Sequence, residues 1–394
     1  MLSNLDDSQS HAYDANTLAR WTRSFSARSG VEAQVYFDRT WRNDTTRSTQ
    51  DTLDASFQNT FGLGERNDVI WGAGYRHIDV AIDQKLAIAN VLDHRLALQL
   101  FSGFVQDDFH VVPDRLTLTA GIKLEHNDFT GIEIQPSVRA VFKPSEGQSL
   151  WSAISRAVRT PDVIEGRDAV DVFYGAPFQG PGGDTYVPTL SGNPSLKSEV
   201  LWAYELGYRI QATDRVHVDV ASFYNHYLRV IGINPVPTIF EPGQPFGMAE
   251  LPWTNIANGH TAGGEVAITA SPTDRWRVTA AYAMLYTDLH GAGHSADPTG
   301  AESSSPRHQA NVRSSYDLAT RWTLDGDVRF VDRIAGVPAY VTGDVRLAWH
   351  ASARWDVSLV GQNLIDHAEQ AAIPPYDAAT QVRRGFYVKL VGRF

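Results

Sequence analysis

The stretch from Leu196 to Arg229 constrains the fold more than any other part of the chain. From Val200 the even positions read Val200, Trp202, Tyr204, Leu206, Tyr208 and Ile210, while the odd positions read Leu201, Ala203, Glu205, Gly207 and Arg209. Successive side chains of a strand point to opposite faces, so this is a strand with one apolar, ring-rich side and one small or charged side. After the short turn Gln211 to Arg215 the alternation restarts, with Val216, Val218 and Val220 against His217, Asp219 and Ala221. The unit reads as a long β-hairpin. Strands of about 12 residues exceed the ~5–6 of most globular strands and reach the ~9–11 tilted residues that cross a bilayer. Trp202, Tyr204 and Tyr208 lie on the apolar side, and such rings favour the membrane interface.

The same alternation recurs along the chain, giving roughly 17 strands by the period-two test. Leu116, Leu118, Ala120, Ile122 and Leu124, and again Trp276, Val278, Ala280, Tyr282, Met284 and Tyr286, are clear examples. The connections sort into two kinds. Short turns include Val112 to Arg115, Lys143 to Gly147, Ala212 to Arg215, Ser271 to Arg275, Ala319 to Arg321 and Ser352 to Arg354, whereas the segments Ala81 to Asp93, Arg159 to Leu196, Gly232 to Pro252, Gly291 to Pro306 and Asp366 to Gln381 are long. Short turns at one end and long loops at the other are the pattern of an outer-membrane barrel. Trp151, Trp276, Trp322 and Trp355 each follow a short turn closely. They are expected to form, with Trp202, the rings of a membrane girdle facing lipid. Packing of the same indoles in a soluble core is the plainer reading.

The fold class expected is therefore all-β, a transmembrane antiparallel barrel with short periplasmic turns and long extracellular loops. Composition does not oppose it. No run of about 18 apolar residues could form a spanning helix. The mildly polar mean hydropathy fits a barrel, since each strand shows lipid only half of its residues. A net charge of -11 gives no basic face for nucleic acid, and the chain has no Cys for a disulfide scaffold or thiolate metal site. The first ten residues carry no basic and apolar leader pattern.

Several segments resemble the C-terminal barrel of the TonB-dependent outer-membrane receptors. They are Gly192-Asn193-Pro194-Ser195-Leu196-Lys197-Ser198-Glu199 followed by Tyr204-Glu205-Leu206-Gly207-Tyr208; Ser155-Arg156-Ala157-Val158-Arg159-Thr160-Pro161; Asn255-Ile256-Ala257-Asn258 with Gly264-Glu265-Val266; Ser305-Pro306-Arg307-His308-Gln309; and Gln362-Asn363-Leu364-Ile365-Asp366. The end, Gly385 to Phe394, resembles the family's closing strand, whose terminal Phe394 would be read by barrel-assembly machinery. The resemblance implies residues 14–394 as about 17 of about 22 strands, residues 1–13 as an outer-loop remnant, and a plug domain and signal peptide absent from this sequence. It further implies import of a scarce ligand, foremost a ferric siderophore, energised by the TonB system through the missing N-terminal part. Outer-membrane lipid is the expected surrounding, a monomer the expected state, and no resident cofactor, metal site, nucleic-acid partner or enzyme activity is expected. A passive porin-like channel and a soluble carbohydrate-active β-protein stay open as alternatives.

Ligand contacts are sought on the outer loops, because loops on rigid scaffolds carry function. The candidates are Arg159, Arg167, Phe173, Tyr174, Phe178, Tyr186, Phe240, Trp253, His294 and Tyr376. Rings suit a flat, partly apolar ligand, and guanidinium donors suit an anionic ferric complex. The plainer reading has the rings closing the loops on themselves or on neighbouring loops, and Arg156, Arg159 and Arg167 pairing with Glu199, Glu205 or Asp219. His290, His294 and Asp297 lack the regularity of a metal site.

Overall fold

The computed structural model describes residues 11–43, 46–84, 89–167, 169–173, 177–180, 183–234, 239–241, 247–291, 300–365, 369–371 and 380–393. Within them run seventeen principal strands: β1 (His11–Ser26), β2 (Ser29–Asn43), β3 (Thr46–Leu63), β4 (Asn67–Gln84), β5 (Arg95–Val112), β6 (Leu116–Asn127), β7 (Gly131–Phe142), β8 (Gln148–Arg159), β9 (Glu199–Thr213), β10 (Val216–Ile233), β11 (Gly247–Thr273), β12 (Trp276–Gly291), β13 (His308–Ala319), β14 (Trp322–Val331), β15 (Tyr340–His350), β16 (Trp355–Gln362) and β17 (Gly385–Gly392). Each pairs antiparallel with the next, as the alternation predicts. The first begins at His11, inside the segment expected to be outer loop. Among the described residues β1 pairs with β2 alone and β17 with β16 alone.

Register assigns the faces. Tyr204 lies opposite Tyr224, Leu206 opposite Ser222 and Tyr208 opposite Val220, so one side of the sheet collects rings and branched chains. Leu206 is 51% exposed although wholly apolar, which identifies this side as the one that meets lipid. Near the short turns it carries Trp276, Trp322, Trp349 and Trp355, with Trp322 and Trp349 stacked at 6.0 Å. Toward the loops it carries a run of rings across four strands, Tyr204, Tyr224, His260 and Tyr286, with centroids 6.2, 5.5 and 6.1 Å apart. Trp202 shares that side and that half of the barrel, opposite His226. Trp151 departs from the girdle expectation. It lies opposite Gly207 on the lumen side, where a Cβ on Gly207 would come within 2.3 Å of its indole. Its height is that of a girdle residue, but its parity is wrong: Leu150, Ser152 and Ile154 take the lipid side of β8.

The turn rim is stitched by a repeating backbone bond. The carbonyls of Arg66, Arg115, Gly147, Arg215, Arg275, Arg321 and Arg354 accept in turn from the amides of His110, Lys143, Gln211, Ser271, Asp317, His350 and Arg393, one hairpin onward. At the first turn a side chain does this work. The Arg28 guanidinium donates to the carbonyls of Gly64 and Asn67 at 2.8 and 2.7 Å and pairs with Asp68 at 2.7 Å.

A single-layer wall has no interior of its own, and the packed core sits in the loops instead. Short strands Ala89–Val91, Val170–Phe173, Phe178–Gln179, Thr185–Ser191 and Ile239–Glu241 join the extended outer end of β11 in a small sheet; Thr185–Ser191 runs parallel to residues 247–252. Its members include Thr189 and Ala249, both fully buried, and Val187, Leu190 and Leu251, all nearly so. The loop between β8 and β9 then turns inward. Val163, Ala169 and Val172 pack on Val80, Ile82 and Leu96, which share the lumen face of β4 and β5.

Candidate functional site

Three of the segments singled out for their resemblance, residues 155–161, 192–199 and 255–258, meet at the base of that inward loop. Asp162 caps a one-turn helix, Val163–Gly166, and exchanges bonds with Glu165 in a capping box. Buried Glu165 accepts from Arg159 at 2.9 and 3.1 Å, and Arg159 also pairs with Glu199 at 2.8 Å. Glu199 in turn accepts the amide of Ile231 at 2.7 Å. Asn193 donates to the carbonyl of Trp253 at 2.8 Å. Asn255 binds Lys197 through both backbone groups, at 3.0 and 2.9 Å, and also donates to the carbonyl of Arg229 at 2.8 Å. Arg229 takes a left-handed backbone, φ 60°, and its amide donates to Asn258 at 2.8 Å. These residues knot the two ends of the loop to β9–β11.

That knot decides where the sequence candidates stand. Arg159 is held by two carboxylates, the pairing with Glu199 considered as the plainer reading. Arg156 donates to the carbonyl of Ile134 and approaches Glu133 at 3.5 Å. Arg167 lies 5.6 Å over the ring of Phe129. Phe178 faces Tyr186 at 6.4 Å; Tyr186 is buried against Gly180, while Phe178 stays exposed. Phe173 is half-buried at the end of its short strand. Trp253 is half-buried, and its indole N–H is enclosed without a partner among the described residues. Phe240 sits opposite Ala249 in backbone register. Tyr174, His294 and Tyr376, together with Asp297 and the terminal Phe394, lie outside the described residues. His290 pairs with Asp288 at 2.9 Å.

The lumen face below the loops is wet and charged, and most of its charges are matched. Arg76 pairs with Asp54 at 2.9 Å, Lys123 with Glu125 at 2.7 Å, Arg209 with Asp219 at 2.5 Å and Arg346 with Asp325 at 3.1 Å. Glu205 and Glu265 have no ion partner among the described residues. Glu265 stands between Ala221 and Ala283, and Glu205 faces Phe223, whose ring closes on Gly263. The alanines Ala221, Ala267, Ala281 and Ala283 leave a hollow of about 420 Å³ edged by Asp219, Glu265, Gln309, Asn311 and Arg329. In the sequence Glu265 stood out only within the resembling segment Gly264-Glu265-Val266 and not as a binding residue. Its signal was a carboxylate in phase with glycine and alanine on the lumen side of β11. The hollow can receive a compact cationic group, since Glu265 stands there without an ion partner among the described residues over a floor of methyl groups and favours an ammonium or guanidinium.

Comparison with known proteins agrees with the geometry. A family model described as TonB dependent receptor-like, beta-barrel, matches residues 3–364. The ferric enterobactin receptor of Pseudomonas aeruginosa is 26% identical over 191 residues, which are 47% of this chain and 25% of the relative. The iron-regulated outer membrane virulence protein of Vibrio cholerae is 22% identical over 223 residues, 56% of this chain and 32% of the relative. Among solved structures, a siderophore receptor of Acinetobacter baumannii superposes with a TM-score of 0.78 at 14% identity, covering 98% of this chain and 63% of its own. A mutant of the Pseudomonas aeruginosa ferric enterobactin receptor gives 0.76 at 17% identity, covering 96% and 62%. A copper transporter gives 0.73 at 15% identity, covering 98% and 66%. The chain thus spans less than two thirds of the length of these structural relatives.

Proposed function

Because the chain belongs to the TonB-dependent receptor β-barrel family, an outer-membrane family, we propose that it forms the wall of a receptor that takes up a ferric siderophore with energy passed on by TonB. The observation that carries the ligand class is the match to proteins named as receptors for ferric enterobactin and other siderophores. The solved structures, siderophore receptors and copper transporter alike, share the fold alone, so the ligand class leans on the 26% identical ferric enterobactin receptor and the barrel does not by itself choose between cargoes. The lumen hollow supplies the second half of the reading. A lumen-filling plug segment would place a guanidinium or ammonium in it against Glu265, matching a charge that the wall leaves open.

In this scheme the base of the inward loop between β8 and β9 is a fixed strut, held by Arg159, and ligand contacts fall to exposed rings farther along the same loop, Phe178 foremost. The test is iron-limited growth of a receptor-deficient strain carrying the gene, supplied with ferric catecholate, ferric hydroxamate or copper. Growth on one ferric complex that disappears when TonB is deleted supports the proposal. Growth unaffected by TonB, together with a steady open conductance in planar bilayers, would replace it with a passive channel.

A further inference from the structure

A second pocket lies away from the lumen hollow and the loop knot, at the outer rim of β12–β14. It encloses about 640 Å³ between the segment Glu302–His308 and the turn Asp332–Ala335. Arg307 and Arg333 line it, and both are exposed and without an ion partner among the described residues. The two carboxylates nearby are occupied by backbone amides. Glu302 accepts from Leu289 at 2.9 Å and Asp332 from Arg333 at 2.8 Å. A backbone bond from Ala335 to Ser303, 2.8 Å, ties the two walls together. The third cationic-type side chain, His308, meets the hydroxyl of Tyr282 through Nδ1 at 2.8 Å, with the rings stacked at 6.1 Å. With that hydroxyl donating, Nε2 carries the proton and is a donor. Tyr282 belongs to the lipid side of β12, so the pocket adjoins the outer leaflet.

We propose that this pocket binds a phosphate ester, gripped by the guanidiniums of Arg307 and Arg333 with His308 as a further donor. Guanidinium forks match phosphate oxygens in pairs, and their weak hydration lowers the cost of taking them from water. The ester can belong to a phosphorylated glycolipid of the outer leaflet or to a soluble compound. The contact with Tyr282 favours the lipid.

The test uses the full 394-residue chain, folded in detergent, with lipid retention read by native mass spectrometry. Three probes are compared: a monophosphorylated glycolipid, the same glycolipid without its phosphate, and inorganic phosphate. The expected result is retention of the phosphorylated glycolipid alone. Arg307→Gln with Arg333→Gln should weaken it on the order of tenfold, whereas the corresponding pair of lysine substitutions should recover part of the loss. Occupancy by inorganic phosphate at the same concentration, with the same arginine dependence, keeps the site and assigns it to soluble esters. Equal retention of the dephosphorylated glycolipid, or retention unchanged in the glutamine pair, overturns the proposal. Should that pair not fold, Ser303→Glu puts a carboxylate at the exposed mouth and must produce the same loss.

Discussion

The wall and the outer sheet are built from the same element and obey different rules. In the wall each strand finds its partner in the next strand of the sequence, one face meets lipid, and the other meets a wet lumen, so large apolar residues such as Leu206 and Ile132 remain exposed. In the outer sheet the strands come from loops far apart in sequence, one pairing is parallel, and Thr189, Ala249 and Leu251 are enclosed as in a soluble protein. The wall gains stability from its ladder and its solvent, while the outer sheet gains it from packing. A substitution should therefore be felt globally in the wall and locally in the outer sheet.

The strongest test of that division is Leu251→Ala. It should cost about 2–5 kcal/mol of local stability, seen as faster hydrogen exchange around residues 185–191 and 247–252, while the heat-modifiable gel mobility of the barrel stays unchanged. A barrel that unfolds with it would erase the distinction. Leu206→Arg should cost about 2–4 kcal/mol in refolding from denaturant into liposomes, and lumen-facing Ala203→Arg much less; equal costs would reverse the assignment of faces. Gly207→Ala should cost about 1–3 kcal/mol by crowding Trp151. In a Trp151→Ala background the penalty should vanish, because the two sites couple through that one contact. The smallest effect belongs to Arg209→Gln. Its pair with Asp219 is well exposed, so a loss beyond about 1 kcal/mol would show the lumen to be drier than its charges suggest.

Most of the wall was legible because its information is local. Alternation in β6, β9 and β12 needs no partner to be read, and loop lengths sort the two ends. Trp151 shows what that reading lacks. A turn places a residue at a height, but the face depends on phase, and the neighbouring Leu150 and Ile154 carried the correct phase. The outer sheet was beyond reach for another reason. Thr185–Ser191 takes its longest pairing from residues about 60 positions onward, and the local pairing with Phe178–Gln179 is only two residues long, too short to announce a strand. Arg159 was legible in part, since pairing with Glu199 was the plainer reading, but Glu165 was not foreseen. The arginine's type suggested an anion, whereas its two glutamates arrive from a capping box and from the next principal strand.

The stitched turns carry an implication for how such a sheet can go wrong. Slipping a strand by one residue exchanges its lipid and lumen faces. Each turn carbonyl holds the amide that begins its neighbour's turn, so the position of one hairpin is inherited by the next. An error made early would be copied along the rim rather than absorbed, and every later hairpin would present its charges to lipid. The rim thus passes register from hairpin to hairpin, and one misplaced unit displaces all that follow.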